Sequence, residues 1–194
     1  MTRLSDGKPI HGDLVAVIDE SSPEAGGGIY YIVAAVVIFD WPDVRERVEN
    51  VVGGRTSHFH YRSEGREAIG RMAAVLEESG ALASVLWRSV GRRHQVEARR
   101  DLLAVHARQL ASDGVSHLII ESGDEATDQR DQDTLLDTFA ASGVPFSYDW
   151  RSKSEPLLWT ADAACGIASE FLLGSESEHF DRLADAGTIE VTNG

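Results

Sequence analysis

The chain has almost no cysteine and is short of positive charge, and each shortage excludes functions. Cys165 is the single cysteine in 194 residues, so no intramolecular disulfide can form, and no Cys/His spacing reads as a zinc site. It follows Ala163 and Ala164 in an apolar stretch, where a buried, inert thiol is expected rather than a nucleophile. Lys and Arg number 18 against 32 Asp and Glu, a formal net charge of -14. That balance repels polyanions at long range, whereas a dedicated duplex-DNA binder carries the opposite sign. Neither Gly-x-x-x-x-Gly-Lys-Ser/Thr nor Gly-x-Ser-x-Gly occurs, which leaves a P-loop hydrolase and a serine-nucleophile elbow without support. Gly26-Gly27-Gly28 leads from one strand into another and so does not cradle phosphate at a helix start. The longest apolar run, Ile29 to Phe39, is too short to cross a bilayer as a helix. Met1 to Lys8 lacks the apolar core of a signal peptide, so the expected location is the cytoplasm, with no membrane partner.

What is present suits one domain. Hydrophobic residues make up 42% of the chain, enough for a sizeable core without staples. The whole chain, 1–194, reads as a single unit with a core of about residues 14–174; residues 1–10 and 185–194 are expected to be mobile. Leu14 to Ile18 is an uninterrupted apolar run ending in Asp19-Glu20, as a central strand buried on both faces would be. Ser21 to Gly28 is turn chemistry, and Ile29 to Phe39 completes an antiparallel hairpin. Asp40, with Pro42 behind it, predicts an N-cap and a helix to about Val51.

Beyond Gly53-Gly54, Ser57 to Tyr61 reads as a short extended segment. Helices are expected over Glu64–Ser79, Arg93–Ser112, Asp128–Ala141 and Leu157–Leu173, the second and third ended by Gly114 and Gly143. Strands are expected over Ala81–Val90, Val115–Ile120 and Pro145–Trp150, followed by an acidic tail. A hairpin followed by alternating helix and strand predicts an α/β fold: a mixed sheet of antiparallel hairpin plus βαβ units, with helices on both faces.

Three acids stand where a structural role is not obvious. Asp19 closes the most buried strand, Glu121 closes the next strongly apolar one, and Asp162 sits among Trp159-Thr160-Ala161 and Ala163-Ala164. Ligand sites in open α/β sheets gather outside the carboxyl ends of strands, and an acid among alanines is costly unless paired or coordinating. Three convergent carboxylates would repel one another, and a hard divalent ion, Mg²⁺ or Mn²⁺, relieves that repulsion. Structural alternatives stay open: Asp19 as a cap for the Ser21-Ser22 turn, Glu121 as a solvated strand end, Asp162 as a partner of Arg151 or Arg182. Positive charge gathers in one segment, with Arg88, Arg92, Arg93, His94, Arg99, Arg100 and Arg108. It reads as a solvated helix surface or as a local phosphate-facing patch.

Three stretches carry a resemblance to a known family. They are Val17-Ile18-Asp19-Glu20-Ser21, Phe59-His60-Tyr61-Arg62-Ser63-Glu64, and Leu157 to Ala163 continuing through Phe171. In this order they resemble the domain of unknown function 3800 family, whose fold is ribonuclease H-like; the likeness runs from Leu14 to about Leu183. The resemblance implies a metal-binding site of Asp19, Glu121 and Asp162, with Glu20, His60 and Glu64 as secondary candidates. The chain departs from the family pattern at His58, where an acid is usual, and at Glu121, where many members have Asp. His58 and His60, at alternate positions, are either a surface pair or a source of a nitrogen ligand that would favour Mn²⁺.

Two functions of different class follow. The first is a metal-dependent nuclease or phosphodiester hydrolase acting on nucleic acid or a small phosphodiester. There Asp19, Glu121 and Asp162 hold the metal, His60 or Glu64 orients water or shuttles a proton, and Arg88, Arg92 and Arg93 face phosphate. The second is a non-catalytic binding module on the same fold, with a purely structural cation as a variant of it. Substrate and oligomeric state are not legible.

Overall fold

The computed structural model describes residues 14–53, 58–142, 146–175 and 178–194. The apolar run after Leu14 forms strand β1 (Val15–Ser21), buried through Asp19 and opening to solvent at Glu20. A two-residue strand β2 (Glu24–Ala25) precedes a tight turn at Gly26 and Gly27, whose φ values of 60° and 82° suit glycine alone. Strand β3 (Gly28–Ile38) then returns antiparallel to β1, from Val15 opposite Ile38 to Ser21 opposite Ile32.

Asp40 caps helix α1 (Trp41–Val52), its side chain accepting from the Asp43 amide, with proline in the first turn. Helix α2 (Arg66–Glu78) is followed by strand β4 (Leu82–Val90), helix α3 (Gln95–Ser112) and strand β5 (His117–Glu121). Helix α4 (Glu125–Ser142), strand β6 (Ser147–Arg151) and helix α5 (Leu158–Leu172) complete the expected series. Pro145 and Gly143, read as strand start and helix stop, lie outside the described residues.

Two expectations change. The short extended segment expected over Ser57 to Tyr61 is extended at His60 but pairs with no strand and gives way to a 3-10 turn at Tyr61–Ser63, while Ser57 lies outside the described residues. The backbone turns there because Tyr61 is tied to α5 through its amide and its ring. The second change is at the C-terminus, where the stretch expected to trail off as an acidic tail folds as helix α6 (Glu178–Asp185) and strand β7 (Ile189–Asn193). Few apolar residues are needed there, because an edge strand buries only alternate positions. Ile189 and Leu183 are buried in the core, and β7 pairs parallel with β4. Residues 1–10 lie outside the described residues.

The strand order is β6-β5-β1-β3-β4-β7, with β2 paired to β3. Strands paired with β3 run antiparallel to it, and the remaining pairings are parallel. Alternation along the strands sorts side chains to two faces. Val15, Val17 and Ile119 face the layer of α1, α2 and α5, where Met72, Leu76 and Ile167 are fully buried. Ala16, Ile18, Leu118 and Ile120 face α3 and α4, packing on Leu102, Leu103, Leu135 and Phe139. Each such aliphatic side chain contributes about 1.5–3 kcal/mol on burial. Helices therefore cover both faces of a mixed sheet. β1 is flanked by the β3-β4 meander on one side and parallel β5 and β6 on the other, the expected combination of antiparallel hairpin and βαβ units.

Candidate active site

Register and parity bring the first two acids together. Ile18 pairs with Ile120 across the parallel β1–β5 seam, so the next residues, Asp19 and Glu121, stand side by side at the strand ends. Because Val17 and Ile119 face the α5 layer, Asp19 and Glu121 face it as well. Helix α5 comes close to the sheet because its inner face is Ala161, Ala164, Cys165 and Ala168, all buried. The Cys165 thiol donates to the Asp19 carbonyl oxygen at 3.4 Å, stitching the helix to the end of β1. Burial, and then the negative charges of Asp19 and Asp162, push that thiol well above its ordinary pKa, as suits the inert thiol expected there. Three residues earlier on the same helix, Asp162 presents its carboxylate to the same space.

That space is a cleft of about 1020 Å³ lined by Asp19, Glu121 and Asp162 together with His60, Glu64, Lys153, Arg99 and Glu170. The 3-10 turn closes one side. The Tyr61 amide donates to Asp162 Oδ2 at 2.8 Å, and His60 Nδ1 lies 3.6 Å from the same oxygen. The Tyr61 ring lies over Gly166 so closely that a Cβ there would stand 2.1 Å from it. Glycine is what lets the Phe59–Glu64 segment dock on α5. On the other side, Lys153, in the loop after β6, sets its ammonium 3.1 Å from Glu121 Oε1.

The three carboxyl groups are short of positive charge. Burial raises the Asp19 pKa well above the usual carboxylate range; a hydrogen bond with Glu121 and the negative charges of Glu121 and Asp162 raise it further. Burial also acts upward on Glu121, but the proton offered by Asp19 and the Lys153 ammonium outweigh it and hold Glu121 below its ordinary value. Asp162 is raised, chiefly by burial, against the opposing pull of the Tyr61 amide, His60 and Lys153. Asp19 and Glu121 thus titrate as a coupled pair, with Asp19 pushed up and Glu121 held down. Oxygen donors gathered in one cleft are chemically suited to a hard divalent ion. As the side chains are placed, no three His, Cys, Asp or Glu groups among the described residues gather closely enough to hold one ion.

The structural alternatives resolve residue by residue. Asp19 accepts from the Glu20 amide at 2.7 Å, and Glu121 is paired with Lys153 rather than simply solvated. Arg182 is engaged by Glu77 and Arg151 by Asp149. Glu20 also lines the cleft, as expected of a secondary candidate, although as the residue after Asp19 it starts from the other face of the sheet. There it accepts from the Tyr31 hydroxyl and pairs with Arg99, which also makes a bidentate bridge to buried Asp131.

Glu64 lines the cleft with His60, while His58 is exposed and lies off it. The three arginines expected to face phosphate are also outside the cleft lining. Arg88 is held by Asp101 and the Gly194 carbonyl, Arg92 by Glu24, and Arg93 is exposed. Sequence reasoning did not single out Lys153 or Gly166. Lys153 follows a strand end by two residues, and the strand-end rule that found Glu121 applies equally to it.

No family model matches the chain, and no curated protein matches it. Among solved structures, the complex of PCNA with RNase HII from Archaeoglobus fulgidus is similar, with a TM-score of 0.48 and 16% identity. That match covers 89% of this chain and 77% of the other. Strand order and register define the class as an α/β domain with a mixed sheet and an acidic cleft at the carboxyl ends of β1 and β5. Among the described residues, no helix is long and apolar enough to cross a membrane.

Proposed function

We propose that the chain is a divalent-metal-dependent nuclease or related phosphodiester hydrolase, working in the cytoplasm and belonging with the domain of unknown function 3800 family it resembles. One observation carries the reading. Asp19 and Glu121, on adjacent parallel strand ends, and Asp162, on α5, open into one cleft and compete there for positive charge. Asp19, Glu121 and Asp162 would hold Mg²⁺ or Mn²⁺, which when bound lowers the pKa of water and neutralises charge on the departing oxygen. His60, half-exposed and 3.6 Å from Asp162, is placed to take a proton from water or return one to the leaving group. Glu64, on the same segment, lines the cleft where it can orient that water. A net charge of -14 disfavours long duplexes, so a short nucleic acid or smaller phosphodiester suits the cleft better.

The test is hydrolysis of a labelled oligonucleotide and of bis(p-nitrophenyl) phosphate, with Mn²⁺ and with chelator. Turnover that needs Mn²⁺ and falls at least ~100-fold in Asp19→Asn supports the proposal. Turnover indifferent to Asp19→Asn would overturn it.

A second reading, a binding module without catalysis, is favoured by the ammonium of Lys153 among the acids and by donors that do not yet close on a point. It expects Asp19→Asn to leave the protein's cellular role intact.

A further inference from the structure

The loop from Ser152 to Leu157 carries Lys153, and its backbone is fastened at several points. The Trp159 indole donates to the Lys153 carbonyl at 2.8 Å, and the Glu155 amide donates to the Ser152 carbonyl at 2.9 Å. Glu155 also pairs with Arg45 on α1 and accepts from the Leu157 amide. The Cα of Lys153 is therefore fixed at the rim of the cleft. Its side chain is not, being 61% exposed although Nζ lies 3.1 Å from Glu121. Asp19 and Asp162 also act on that ammonium. A long, half-free cation on a rigid post, aimed at three carboxyl groups, is a particular arrangement. A buried structural ion pair would enclose both partners, and a surface pair would not face three acids.

We propose that Lys153 is the built-in counter-cation of the acidic cleft: its ammonium stands in for a divalent ion, and withdraws from Glu121 when that ion enters. The inference rests on the metal-site reading above and adds a positioning residue to it. The exposure of the side chain lets it leave without disturbing the loop, because Trp159 and Glu155 hold the backbone. Lysine suits this better than arginine, whose planar fork would lock onto a carboxylate in two-point fashion. The consequence is a threshold: the ion must displace a charge as well as bind, so the cleft binds more weakly than its donors alone would allow.

The test is Mn²⁺ binding by calorimetry, and by electron paramagnetic resonance of free Mn²⁺, on the full chain as wild type, Lys153→Met and Lys153→Arg at one pH. Lys153→Met is expected to bind on the order of tenfold more tightly, since a like charge leaves the site. Lys153→Arg is expected to bind no more tightly than wild type. The metal-free melting temperature of Lys153→Met should fall while that of its Mn²⁺-loaded form does not, a pattern that a purely structural role for the loop would not give. Equal or weaker Mn²⁺ binding by Lys153→Met overturns the counter-cation while leaving the metal site standing. Absence of Mn²⁺ binding by all three proteins overturns both. Binding by Lys153→Met alone supports the ammonium as occupant.

Discussion

Asp19 and Glu20 are neighbours at the end of one strand, yet the two faces of the sheet treat them differently. On the α3–α4 face, Glu20 meets Arg99 and the Tyr31 hydroxyl, and Arg99 in turn grips Asp131, whose side chain is 3% exposed. The two acids there share the Arg99 guanidinium, and Glu20 has the Tyr31 hydroxyl besides. On the α5 face, Asp19 has its own neighbour's amide and faces the carboxyl groups of Glu121 and Asp162, and the ammonium seated on Glu121 is the half-free Lys153. A buried acid that is satisfied holds a fold together, whereas buried acids left in surplus mark where a cation would act.

Breaking the satisfied side should cost most. Arg99→Met strands Asp131 without its partner, and a buried charge stripped of its pair costs about 3–5 kcal/mol. Urea denaturation should show this loss with or without Mn²⁺. A loss that Mn²⁺ repairs would mean that the two faces are not separate in function.

The surplus side should respond to the ion instead. Saturation with Mn²⁺ at about 100 times its Kd stabilises wild type by about 2.7 kcal/mol, and Asp19→Asn should lose that gain. The same variant isolates a pH effect. Asp19 titrates higher in the folded chain than unfolded, so its stabilising contribution is complete below the ordinary Asp range and disappears as pH rises through its raised value. Metal-free stability should therefore decline with rising pH across that window in wild type. His106 works in the other direction: burial holds it at about 4, so its contribution is complete above its unfolded pKa and declines as pH falls toward 4. Melting curves of wild type minus those of Asp19→Asn, over pH 4 to 8, remove the His106 effect; a flat difference would contradict the raised Asp19.

Smaller again is the docking of the 3-10 turn on α5. Gly166→Ala puts a methyl 2.1 Å from the Tyr61 ring, an overpacking that costs about 1–3 kcal/mol. It also displaces the amide that holds Asp162, so Mn²⁺ affinity should weaken together with stability. The smallest effect belongs to Arg92→Ala, one half of an exposed pair with Glu24, expected within about 0.5 kcal/mol of wild type and with unchanged Mn²⁺ binding. Measurable loss of oligonucleotide binding in that variant would restore Arg92 to the phosphate-facing role first read from its sequence.

The fold was legible because its signals were strong. Leu14–Ile18 and Leu118–Ile120 are apolar on both faces, which defines central strands, and Asp40 with Pro42 announces α1. The α6–β7 addition was hidden because β7 buries one face of an edge strand and so offers only Ile189 and Val191 among polar residues. Asp19, Glu121 and Asp162 were legible as acids in apolar settings at strand ends and on a small-residue helix. Their partners were not, since Lys153 and Gly166 are defined by proximity across the chain, and no local pattern records that a tyrosine amide 101 residues away will hold Asp162. Glu20 looked equivalent to Asp19 in sequence, and only the alternation of the strand separates them.

The most direct test is a crystal of the chain soaked in Mn²⁺, with anomalous scattering recorded. A peak bound by the carboxylates of Asp19 and Asp162, with Lys153 withdrawn from Glu121, is the predicted result. A map with no ion between Asp19 and Asp162, and Lys153 still seated on Glu121, would contradict it.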